Sequence, residues 1–281
     1  KADELVRLVS RLWDSWDDNA LIMDRENGLF ADPDRVHSIN YQGDWFKSQG
    51  PLTVPRSPQG QPVLIQAGQS DRGREFASQW GELIFTIYPD AARCKDFYND
   101  VKMRAEQKGR KPENIIIAPA IYVVAGETSS IATEKYDEIK SLAHTSDSLT
   151  LLSEVFNYDF SQHSLDEQIE DDIIDSLSGL RGFIDRIVDL SGNPNPSVRD
   201  FLEHSGRGTL SELPCFVGTP KDIADEMEEW FLSESCDGFV LSATHIPGAY
   251  NDFVKLIVPE LQKRGLFRND YSGTTLRQNL G

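Results

Sequence analysis

In the stretch PVLIQAGQSDRGREFASQW, residues 62–80, Gly68, Ser70 and Gly73 stand where an apolar run gives way to a helical pattern. A helix start exposes unpaired N–H donors and a partial positive charge, and so receives anions such as phosphate. Gly68 lets the backbone come close to a ligand, Ser70 offers a hydroxyl, and Gly73 permits tight packing in the first turn. Gln66 and Ala67 form the adjacent strand end. Arg74 either adds positive charge one turn along or is simply solvated. On residue types alone Ser70 reads as a helix N-cap, the commoner reason for Ser before a helix.

Other candidate residues carry less. Gly218, Thr219 and Pro220 start a helix at a strand-poor junction, and capping explains them fully. His245 follows the apolar run DGFVLSAT, which puts it near the end of a strand, and His204 belongs to a segment that can form a lid. His37, His144 and His163 show no ligand spacing. Asp171, Asp172 and Asp175 fall on the polar side of a helix, so no metal is expected. Cys94, Cys215 and Cys236 are too few and too scattered for a disulfide framework or zinc site, which fits a reducing, cytoplasmic setting. No phosphate-cradling Lys loop or nucleophile elbow occurs.

The elements that must position these residues alternate. PVLIQAG reads as a strand buried on both faces, ELIFTIY as a second, NIIIAPAIYVVAG as a third and DGFVLSA as a fourth. Helices are expected over 71–80, 90–108, 128–144, from Thr219 and over 250–263, with Pro259 bending the last. Their inward stripes include Phe76 and Trp80, Cys94 to Ala105, Ile131, Ile139 and Leu142, and Ile223, Met227, Trp230 and Phe231. KADELVRLVSRLWDSW reads as a first helix with Leu5, Leu8, Val9, Leu12, Trp13 and Trp16 on one face. Strand–helix alternation predicts an α/β chain with a parallel sheet. Four such units make half of a (β/α)8 barrel. Residues 17–61 and 145–215 read as insertions within a single domain, 1–281; the second holds one or two helices through Ile169, Ile173, Leu177, Leu180, Ile184 and Ile187.

With 281 residues, 39% of them hydrophobic, the chain can bury a barrel-sized core. Its net charge of −18, from 46 acidic and 28 basic residues, argues against nucleic acid and anionic membranes as partners. No apolar stretch reaches the ~20 residues of a membrane span, and no signal-peptide pattern occupies the start.

Several stretches together, LWDSW, GPLTVPRSPQGQPVLIQAGQSDRGREFA, GTPKDIADEMEEWF, DGFVL and VPELQKRGLFRNDYSGTTLRQNLG, carry a resemblance. The chain resembles the nitrilotriacetate and dibenzothiophene-sulfone monooxygenase group of the bacterial luciferase-like, flavin-dependent family, and looks like the C-terminal part of a longer member. The resemblance implies a luciferase-like (β/α)8 TIM barrel, here its C-terminal half plus insertions. It implies reduced FMN supplied by a separate NADH-dependent flavin reductase, and transfer of one oxygen atom of O2 to a small organic substrate through a flavin C4a-hydroperoxide. A homodimer is a further implication. The family's flavin-phosphate contact carries over onto Ser70, with Gln66, Ala67, Gly68 and Gly73 around it; no catalytic residue carries over. The alternative is a truncated, non-catalytic relative that acts as a binding or structural partner.

Overall fold

A computed structural model describes residues 1–177 and 181–280 of the chain. Its residues separate into two units: unit 1 is Lys1–Ile84, Val101–Ile116 and Asp270–Gly281, and unit 2 is Phe85–Asp100 and Ile117–Asn269.

Unit 1 opens with α1 (Ala2–Trp13), whose first turn carries Asp3 and Glu4, where negative charge complements the helix dipole. Both also act as anchors: Asp3 accepts Trp80 Nε1–H at 2.9 Å, and Glu4 accepts the backbone N–H groups of Trp45 and Phe46. The expected apolar face is only partly covered. Leu8 is buried and Leu5 is exposed. The helix stops at Trp13, and Trp16 is buried from the loop beyond, donating Nε1–H to Leu52 O. Residues 17–61 hold two antiparallel hairpins, β1 (Leu21–Asp24) with β2 (Leu29–Ala31), and β3 (Tyr41–Gln42) with β4 (Lys47–Ser48).

Strand β5 (Ile65–Ala67) leads into α2 (Asp71–Trp80). The strand is not covered on both faces as expected: Ile65 is 63% exposed and Ala67 is exposed, whereas Gln66 is half-buried. Alternate residues point to opposite faces, so only the Gln66 face meets protein. In β6 (Leu83–Thr86) the covered residues are Ile84 and Thr86. Backbone bonds Glu82 N–H to Leu64 O and Ile116 N–H to Glu82 O align the strand starts. Helix α3 (Ala91–Gln107) buries Cys94, Phe97, Val101 and Ala105, the stripe read from sequence, and Gly109 follows it at φ +75°. Arg277, in the helix Leu276–Leu280, bonds Glu82 through Nε and Nη2, and Arg110 donates to Ser78 O and Gly81 O at the end of α2.

Unit 2 is built on β7 (Ile116–Ala125), nearly all buried from Ile117 onward. After it come α4 (Ser129–Ser141), α5 (Thr145–Phe156), α6 (Asp171–Ser176), α7 (Arg181–Ser191), α8 (Val198–Ser205), β8 (Cys215–Gly218), α9 (Pro220–Leu232), β9 (Val240–Ser242), α10 (Gly248–Asp252) and α11 (Val258–Lys263). Both β8 and β9 run parallel to β7, at Tyr122–Ala125 and Ala120–Tyr122 respectively. Strand β8 corrects the reading of a strand-poor junction before Thr219: four residues ending in Gly218 are too few to show a period. Residues 253–257 form a π-turn immediately ahead of Pro259.

Two apolar clusters fill unit 2. One joins Ile121, Val123, Phe216, Ile223, Met227, Trp230 and Ile257. Phe231, expected to face inward, is exposed, as are Ile131 and Leu142 of the α4 stripe. Ile131 and Leu142 sit at the margin of the α4 arc, whereas Phe231 lies within the α9 arc but in the last turn of the helix. The other cluster, Leu152, Phe156, Phe160, Ile169, Ile187 and Phe201, belongs to residues 145–215, where α5 to α8 replace the one or two helices expected. Leu180 lies outside the described residues.

Candidate functional site

The β5–α2 turn gathers all five residues singled out around Ser70. Ser70 has extended backbone (φ −63°, ψ 160°) and its Oγ accepts Gly73 N–H at 3.1 Å, so the capping reading is correct as geometry. A hydroxyl that accepts in a cap keeps its own proton free to donate, and Ser70 is exposed. Gly73 is required by packing: a Cβ there would lie 2.9 Å from Gly68 C and O. A Cβ on Gly68 would lie 2.5 Å from Gln66 Nε2. Backbone therefore approaches backbone where two side chains have been given up. Beneath it, the buried Oε1 of Gln66 has no hydrogen-bond partner. Arg74 turns back, its Nε donating to Gln69 O at 2.9 Å.

The remaining candidates separate from this turn. Thr219 caps α9 in a full capping box with Asp222, and Pro220 takes its first turn. His245 lies against Gly248 and bonds Thr244 Oγ1 at 3.1 Å. His163 is held between Tyr158 Oη and Glu167 Oε1, and His37 against Asp17. Burial pushes the Cys94 thiol up to about 11 and those of Cys215 and Cys236 up to about 12, so none supplies a thiolate near neutral pH. Among the described residues no three His, Cys, Asp or Glu side chains converge on a metal position, and no helix is long and apolar enough to cross a membrane.

Sequence reasoning missed a cavity of about 590 Å³ within unit 2. Its lining includes Tyr122 of β7, Thr244 just past β9, the corner between α4 and α5 from Ile139 to Ser148, Glu203 of α8 and residues 208–211. The lining thus combines residues just past the end of β9 with residues 208–211 ahead of the start of β8. Burial, followed by the nearby Glu212 carboxylate, raises the Tyr122 pKa and keeps it a phenol. His204, the expected lid residue, is absent from the lining, and His144, set aside on sequence spacing, is part of it. Contributions spread from Tyr122 to Thr244 leave no local motif.

Parallel strands alternating with helices define an α/β protein. A family model described as luciferase-like monooxygenase matches residues 1–233, and the chain belongs to that family. It is 38% identical over 292 residues to dibenzothiophene-sulfone monooxygenase of Rhodococcus erythropolis, covering 100% of this chain and 62% of that protein. Nitrilotriacetate monooxygenase component A of Aminobacter aminovorans is 38% identical over 283 residues, with the same coverage of each. The chain thus spans less than two thirds of the length of these relatives. Riboflavin lyase, solved with modified FMN and its substrate riboflavin, superposes with a TM-score of 0.80 at 29% identity, covering 99% of this chain and 60% of that one. The fold is that of the luciferase-like barrel, of which this chain forms an incomplete part.

Proposed function

We propose that the chain serves an FMN-dependent monooxygenase of the two-component type. In this reading it takes reduced FMN from a separate NADH-dependent flavin reductase and places one oxygen atom of O2 in a small organic substrate. The β5–α2 turn carries the proposal. Its residues fit the group: Ser70 O–H and the backbone N–H groups of Asp71 and Arg72, ahead of the first intrahelical bonds of α2, donate to phosphate oxygens, while Gly68 and Gly73 leave room for close approach. FMN, when bound, supplies the electrons that activate O2. The chain's own residues grip the anionic end and fix its orientation.

Replacing Ser70 by Ala would remove cap and donor together, so Ser70→Asp is the cleaner variant. Aspartate keeps an acceptor for Gly73 N–H but offers no proton and brings a negative charge. FMN affinity, read by fluorescence quenching, is expected to fall by roughly tenfold or more while the melting temperature stays near wild type. Unchanged affinity removes Ser70 from the site. Failure of the wild-type chain to bind FMN overturns the reading for this chain.

A further inference from the structure

We propose that the cavity of unit 2 binds a small organic anion, a carboxylate or sulfonate on a short apolar body, with Lys140, His144 and Ser148 at its charged end. The inference rests on the monooxygenase reading, in which this anion is the organic substrate.

The strongest observation is Ser148. Only 7% of it is exposed, it lines the cavity, and its hydroxyl bonds no described residue. The residue is held in place by this cover while its hydroxyl, unpartnered among the described residues, is left to donate to a ligand acceptor in the cavity. Ser148 lies in the first turn of the twelve-residue α5, whose free N–H groups favour negative charge. His144 stands at the N-cap of that helix with no side-chain cap bond, leaving its ring nitrogens available. Lys140, in the last turn of α4 one residue before its end, also lines the cavity. Its ammonium forms no ion pair or hydrogen bond with the described residues; it lies 5.9 Å from the Tyr136 ring.

Two cationic or donor side chains, an unpartnered hydroxyl and a helix start therefore stand together at the α4–α5 corner of the lining. Ile139, Leu202 and Leu210 add apolar surface to a lining that also includes Thr209, Ser211 and Thr244. Glu203 is the acidic side chain of the lining, and it opposes a second negative charge, so a monoanion fits better than a dianion.

Hexanoate, hexanesulfonate and the neutral hexan-1-ol, titrated calorimetrically into the full chain and three variants, test the proposal. Both anions are expected to bind roughly tenfold more tightly than the alcohol. Lys140→Met and Ser148→Ala each remove most of that margin, and Glu203→Gln widens it. Equal binding of anions and alcohol, or a margin that survives Lys140→Met, overturns the proposal. So does competition between FMN and hexanoate, which would assign the cavity to the cofactor. If FMN does not bind but the anion margin holds, the monooxygenase reading fails and the anion site stands.

Discussion

Ser70 shows how little a single residue type decides. Its cap bond to Gly73 N–H explains its presence, and the unused proton is what makes it a candidate for more. Gly73 was read as a packing residue, and a Cβ there would lie 2.9 Å from Gly68 C and O; Gln66 was legible by position, but its orphaned oxygen was not, since burial of one atom leaves no trace in residue order. Glu82 had no sequence signal at all. Burial pushes its carboxyl up, yet hydrogen bonds from Arg277 and Leu64 N–H, with the Arg277 and Arg110 charges, outweigh burial and hold it below the ordinary range. The stability this contributes is present above the unfolded value near 4.3 and disappears as pH falls through the lower folded value. Urea denaturation should therefore show wild type more stable than Glu82→Gln by about 1 kcal/mol at neutral pH, screening included. The gap should close below about pH 4; a gap that persists in acid would mean that the contact is not ionic.

At the scale of elements, the start of α9 was legible because it follows local chemistry. Thr219 Oγ1 accepts Asp222 N–H at 3.3 Å and Asp222 Oδ2 accepts Thr219 N–H at 3.0 Å. Thr219→Ala is expected to lower unfolding free energy by about 1 kcal/mol and Thr219→Ser by only a few tenths, in thermal or urea melts. Equal losses would assign the effect to the threonine methyl rather than the cap. Residues 145–215 resisted reading for the opposite reason. Turns at Asn157, at φ +50°, and Gly192, at φ +65°, break the segment into short helices that are stable only against one another, so Phe156, Phe160 and Phe201 form a cluster from separate pieces. Strand β5 failed on cover: an apolar run announces a strand, but not whether both faces meet protein.

Across the whole chain, the α/β alternation was readable because each strand and its following helix are contiguous, whereas the cavity, assembled from distant segments, was not. The net charge of −18 acts at this scale. An anionic ligand approaches against a negative field, so the association rate of FMN should rise between about 20 and about 200 mM salt as that field is screened. Stopped-flow fluorescence reads this directly, and a rate that falls with salt would place the approach within a locally positive surface. Unit 1 is also discontinuous, its pieces lying on either side of residues 117–269. Arg277 reaches Glu82 across 195 positions and Gln59 across 218. During synthesis, the segment bearing Arg277 leaves the ribosome only after unit 2 is complete. The clasp on Glu82 thus forms only after unit 2 has emerged, although its acidic partner precedes unit 2 in the chain.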